Sequence, residues 1–99
     1  MQKMVEAFID NHGLRTDINV RYIDLVSEIG ELGKEITKST NYGKQSFTAN
    51  PQMTDEIGDC LFSLFALCTE LNIDAQDAIC KSLSKYERRF EARGSIGSE

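Results

Sequence analysis

In a chain of 99 residues, the stretch from Ile57 to Leu71 carries more apolar side chains than one helix of so small a protein can hide. Ile57, Cys60, Leu61, Phe62, Leu64, Phe65, Leu67, Cys68 and Leu71, set about 100° apart, cover well over half of a helix's circumference. A surface helix needs an apolar stripe of only about 100°. The remaining arc is polar: Glu56, Asp59, Ser63 and Glu70. At 11.1 kDa the chain is one domain. Such a domain covers a helix this apolar on several sides only with help, so a second copy of the chain is expected over part of it.

The rest of the sequence is helical as well. There is one proline, Pro51, and no long alternating stretch of the kind a strand shows. A first helix is expected over about Gln2 to Asn11, with Met4, Val5, Phe8 and Ile9 inward and Gly13 ending it. A second starts at a cap near Asp17 and runs to about Ser39, with an apolar seam of Tyr22, Leu25, Ile29, Leu32 and Ile36. Residues 40–49 have turn chemistry. Asn50 as cap and Pro51 as first helical residue open a third helix, ending near Leu71. The fourth follows Asp74, with Asp77 as a reciprocal cap, and reaches about Arg93 along a seam of Ile79, Leu83, Tyr86 and Phe90. The expected architecture is all-α: a four-helix chain forming a helical bundle over residues 1–93, completed by homo-oligomerisation. Residues 94–99 read as a disordered tail.

Composition narrows the function. Sixteen acidic against eleven basic residues give a net charge of −5. Sequence-independent binding to a nucleic acid polymer or an anionic membrane needs the opposite balance. No run of eighteen apolar residues and no signal pattern occurs, so a cytoplasmic protein is expected, with Cys60, Cys68 and Cys80 as reduced core thiols. A single histidine, His12, leaves too few ligands for a zinc site or a histidine-based triad.

The chemistry concentrates in a near-repeat: Glu28-Ile29-Gly30-Glu31 on the second helix and Glu56-Ile57-Gly58-Asp59 on the third. In each, carboxylates three residues apart share a helix face beside the apolar seam. Asp24, Glu28, Glu31 and Glu35 fall within about 60° of arc. Residues 45–80 hold six acidic and no basic residues, so no cation on the third helix relieves the repulsion. Oxygen-only ligands suit a hard divalent cation, Mg²⁺ or Mn²⁺. The glycine inside each pair is expected to let the helices approach closely. A di-iron bundle would need ExxH motifs, and His12 follows neither pair. The segment 81–93 holds five basic and two acidic residues, and Lys85 and Arg89 stand one turn apart beside the seam, suited to a polyphosphate.

The runs Leu25-Val26-Ser27-Glu28-Ile29-Gly30-Glu31-Leu32, Asp55-Glu56-Ile57-Gly58-Asp59 and Lys85-Tyr86-Glu87-Arg88-Arg89-Phe90 resemble the MazG-like nucleoside triphosphate pyrophosphohydrolases. The resemblance spans roughly residues 14–90. It implies an all-α dimer or pair of dimers that cleaves (deoxy)nucleoside triphosphates between the α- and β-phosphates with Mg²⁺. It implies Glu28, Glu31, Glu56 and Asp59 as metal ligands and Lys85 and Arg89 as phosphate contacts. Ser27 and Leu83 depart from the family pattern, at places where many relatives carry a glutamate and an asparagine. Glu31 or Glu35 is the expected proton acceptor, and Asn41 and Tyr42 are candidates to touch base or sugar. Two other readings stay open: a non-catalytic helical dimerisation module with a structural cation, and a phosphoribosyl-ATP pyrophosphohydrolase.

Overall fold

The computed structural model describes residues 1–97, which form four helices and, among the described residues, no strand. They are α1 (Gln2–Asn11), α2 (Ile18–Ser39), α3 (Gln52–Glu70) and α4 (Ala75–Arg93). No helix among the described residues is long and apolar enough to cross a membrane. Their ends follow local chemistry. Gly13 takes φ of 63° after α1, Asn72 takes 56° after α3 and Gly94 takes 69° after α4, left-handed turns that end a helix. Asp74 caps α4 by accepting from the backbone N–H groups of Gln76 and Asp77.

The opening of α3 differs from expectation. Pro51 is the capping residue, and Asn50 does not cap. Its amide instead donates to Glu35 (3.2 Å) and to the Ser39 hydroxyl (3.1 Å), tying the start of α3 to the end of α2. A tertiary partner has outcompeted the local one.

α2 lies along α3, and α1 lies across α3. The α2 residues turned inward are Arg21, Leu25, Glu28, Leu32, Glu35 and Ser39, a stripe at 4-3-4-3-4 spacing. This stripe is offset from the apolar seam read from the sequence. Leu25 and Leu32 belong to both, but Tyr22, Ile29 and Ile36 lie exposed. The reason is ionic: Arg21 and Glu70, each with a side chain only 8 % exposed, pair at 3.3 Å and rotate α2 toward its polar edge. Glu70 also accepts from the Thr16 N–H (2.7 Å) and from Arg15 (3.2 Å), while Arg15 reaches back to Asp10 (2.7 Å). One carboxylate thus fastens the α1–α2 connection to the end of α3.

The chain is open rather than closed. Its radius of gyration is 16.8 Å, against about 13 Å for a compact chain of this length. Among the described residues, the buried apolar ones are Ile9 and Ala66. α4 causes this: none of its residues is buried, and it has no extensive packing against α2 or α3. Its direction is held at the α3–α4 turn, where the Gln2 side chain donates to the Ile73 carbonyl (2.8 Å) and accepts from the Ala75 N–H (2.7 Å). Ile57, Leu61 and Leu64 on α3 and Leu71 just past its end consequently stay exposed, as do Ile79, Leu83 and Phe90 on α4. Beyond Gly94, Arg89 and Arg93 donate to the carbonyls of Ile96 and Gly97. Ser98 and Glu99, the remainder of the expected tail, lie outside the described residues.

Glu70 sets an acid limit on stability. The Thr16 N–H, aided by Arg15 and Arg21 and opposed by desolvation, holds its carboxyl below the ordinary value of 4.5. A carboxyl lowered on folding stabilises above its unfolded pKa, and that contribution is lost as pH falls through the folded value. Urea unfolding should show Glu70→Gln costing about 3 kcal/mol at pH 7, because Arg21 is left buried without its anion. The difference between the two proteins should shrink as pH falls below about 4.5.

Candidate metal centre

Glu28 projects from the inward stripe of α2, and Glu56 and Asp59 project from α3 opposite it. One carboxylate oxygen from each lies within 4.8 Å of the other two. Glu28 and Glu56 are half-buried and Asp59 is exposed, so the group has a walled side and an open side. Burial raises the Glu28 carboxyl above its ordinary value, and the charges of Asp59, Glu56, Glu31 and Asp24 add to the effect. Three oxygens at this separation fit a hard divalent cation, which would supply the missing positive charge.

The expected set of four is thus assembled as three plus one. Glu31 adds its field to Glu28 but lies outside the close group, one turn further along α2 and exposed. Glu35 is a further turn away and accepts from Asn50. The two glycines do not have the role expected of them. A side-chain carbon built at Gly30 or Gly58 meets nothing within 4 Å. Each stands two residues, about 200° of arc, past its glutamate and therefore faces away from the other helix.

Cys60, one turn after Glu56, sits beside the acids. Desolvation and the charges of Glu28, Glu56 and Asp59 push its thiol up, keeping it protonated. The three cysteines are free. Cys60 and Cys68 are half-buried, whereas Cys80 is exposed on α4, because no helix covers that face.

The expected phosphate contacts are elsewhere. Lys85 holds its ammonium 5.1 Å from the centre of the Tyr86 ring, and Arg89 donates to the Ile96 carbonyl. Neither forms a salt bridge or hydrogen bond with an acid among the described residues. Asn41 and Tyr42 take φ of 48° and 59° in the turn that follows α2, whose end at Ser39 lies about 12 Å along the helix from Glu31. No hydrogen bond or ion pair among the described residues joins either to the carboxylates.

A feature absent from the sequence reading adjoins the acids. Met4, Val5 and Phe8 of α1 with Phe62 and Asp59 of α3 line an open cavity of about 370 Å³. Phe8 meets Phe62 edge-on, with ring centres 5.9 Å apart. The spacing of Met4, Val5, Phe8 and Ile9 reads as a core face, yet only Ile9 is buried and Phe8 remains exposed. The crossing of α1 over α3 turns that face into a wall.

Two helices that present ExxE and ExxD motifs to each other, ahead of a cationic helix, define an all-α protein with a carboxylate cluster between its second and third helices. Residues 20–93 match the family model of the MazG nucleotide pyrophosphohydrolase domain. The chain belongs to that family. It is also 33 % identical over 72 residues to the uncharacterised protein YpjD of Bacillus subtilis (strain 168), a match covering 70 % of this chain and 63 % of that relative's length. No solved structure matches the chain.

The raised Glu28 carboxyl has a pH consequence. A carboxyl raised on folding removes stability as pH climbs from its unfolded value, 4.5, through the folded one. A cation offsets that loss. Calorimetry with Mg²⁺ or Mn²⁺ at about ten times its Kd should therefore show about 1.4 kcal/mol of stabilisation at pH 7, an increase of about 5 °C in Tm. The increase should be smaller at pH 5 and abolished in Glu56→Gln.

Proposed function

We propose that the chain hydrolyses (deoxy)nucleoside triphosphates to the monophosphate and pyrophosphate with Mg²⁺, Mn²⁺ serving as a substitute. The observation that carries this reading is the convergence of Glu28, Glu56 and Asp59 within 4.8 Å in a chain of this family. These three carboxylates would hold the cation, with Glu31 completing the set. When bound, the cation neutralises phosphate oxygens and acidifies water for attack at phosphorus.

The chain's own groups supply the rest. Glu31 is the better proton acceptor of the two candidates. Glu35 is engaged by Asn50, whereas Glu31 is exposed and has no hydrogen bond or ion pair among the described residues. Lys85 and Arg89 would bind the phosphates and stabilise the departing pyrophosphate, the guanidinium as a fork and the ammonium as a point charge. With phosphates at the acids, the nucleoside meets the cavity beside Asp59, where Phe8 and Phe62 offer aromatic surface to a base. Asn41 and Tyr42, at the opposite side of the acids along α2, are outer contacts in this reading. A homodimer or homotetramer in the cytoplasm completes it.

Pyrophosphate release should be detected from at least one member of a panel of ribo- and deoxyribonucleoside triphosphates with Mg²⁺, with phosphoribosyl-ATP included. Turnover of phosphoribosyl-ATP alone would assign that substrate instead. No turnover and no calorimetric nucleotide binding would leave a helical dimerisation module. Glu56→Gln should abolish turnover with the far-ultraviolet circular dichroism unchanged. Lys85→Ala should weaken triphosphate binding more than cation binding. Phe8→Ala should raise KM roughly tenfold with kcat little changed, the loss expected for about 1.4 kcal/mol of stacking.

A further inference from the structure

We infer that the outer face of α4 is a polyphosphate site, in which Lys81, Lys85 and Arg88 hold two or three linked phosphoryl groups. The site goes beyond the nucleotide reading, because it needs neither the carboxylates nor a divalent cation. Lys85 is the one residue it shares with that reading.

A cavity is the first observation. Cys80, Lys81, Ser82, Ser84, Lys85 and Arg88 line an open cavity of about 510 Å³ along α4. Lys81, Lys85 and Arg88 stand at i, i+4 and i+7, so each cation neighbours the next on one helix face. Together they span about 10.5 Å of helix. The hydroxyls of Ser82 and Ser84 add donors to the same cavity.

The positive charge there is unanswered. The ion pairs among the described residues belong to Arg15 and Arg21, and none involves α4. The cations of α4 that donate a side-chain hydrogen bond among the described residues are Arg89, to Ile96, and Arg93, to Gly97. Lys85 lies 5.1 Å from the centre of the Tyr86 ring, a contact that leaves its charge in place. The negative end of the helix dipole does not account for the group either. That field fades within the last turn, and Lys81, Lys85 and Arg88 stand twelve, eight and five residues before Arg93. Like charges at these spacings repel, and a bound anion removes that cost.

The face is free of the helix's apolar side. At about 100° per residue, Lys81 and Arg88 lie about 140° or more from each of Ile79, Leu83 and Phe90, the exposed seam. Whatever covers that seam leaves the cavity open to solution.

The lining selects the ligand. None of the six residues is aromatic or a branched apolar residue, so neither a nucleobase nor a peptide side chain finds an anchor. Cationic heads with hydroxyls suit a small anion of high charge, the guanidinium as a fork and the ammoniums as point charges. A single phosphate reaches one neighbouring pair of cations, whereas a linked chain reaches all three. The net charge of −5 opposes a long polyanion such as a nucleic acid.

Calorimetry with inorganic triphosphate in EDTA tests the site. The wild type should bind, and Glu56→Gln should bind equally. Lys81→Ala/Arg88→Ala should bind about tenfold more weakly or worse. Its circular dichroism should be unchanged, because alanine suits exposed helical positions. Amide shifts of the ¹⁵N-labelled wild type should move at residues 80–88 on adding triphosphate. No binding without a divalent cation, a double variant that binds like the wild type, or shifts confined to residues 28–59 overturns the proposal. Inorganic phosphate and a short polyglutamate peptide are the comparison ligands, and either one binding as tightly as triphosphate overturns the assignment to linked phosphates. A wild type without nucleotide turnover would remove the nucleotide reading, and the triphosphate titration would still decide this site by itself.

Discussion

Three carboxylates within 4.8 Å of one another, two of them half-buried, repel one another unless something positive stands between them. Much else in the structure follows from where that repulsion is put. The inward stripe of α2 gives up apolar positions to carry Glu28 and Glu35, and the helix is held in this rotation by the Arg21–Glu70 pair at the other end of the α2–α3 contact. The fold thus sets one satisfied carboxylate, Glu70, against a strained group about 21 Å away along α3. The first secures the frame and the second is available for binding.

Glu70 and Glu56 illustrate how two acids on one helix receive opposite fates. Glu70 accepts from a backbone N–H and two guanidinium groups, and its carboxyl is held low. Glu56 has two other acids for neighbours and no cation on its own helix. An arginine nearer Glu56 would relieve the repulsion and remove the reason for a divalent ion to bind. The cations of α4 are instead set on a different helix, where Lys85 lies over the Tyr86 ring and Arg89 donates to the Ile96 carbonyl.

Much of this was legible in the residues, and the parts that were not have a common cause. Helix ends are decided within a few residues, and Gly13, Asp74 and Gly94 ended or began helices as their chemistry dictates. Of the paired acids, Glu28, Glu56 and Asp59 are brought together because the α2–α3 hairpin opposes them, while Glu31 lies outside the group. Asn50 misled because a distant Glu35 and Ser39 claimed its amide. The α2 seam was displaced by an ion pair whose members, Arg21 and Glu70, lie far apart in sequence. Gly30 and Gly58 were assigned a contact that their angle about the helix forbids. The course of α4, set by a glutamine at the other end of the chain, has no local signature. Each of these depends on a partner that periodicity does not name.

The position of Cys60 carries one more consequence. Its sulfur is kept protonated by desolvation together with the fields of Glu28, Glu56 and Asp59. Desolvation is the larger of the two influences, so the sulfur next to these hard oxygens is held neutral chiefly by being shut away from water.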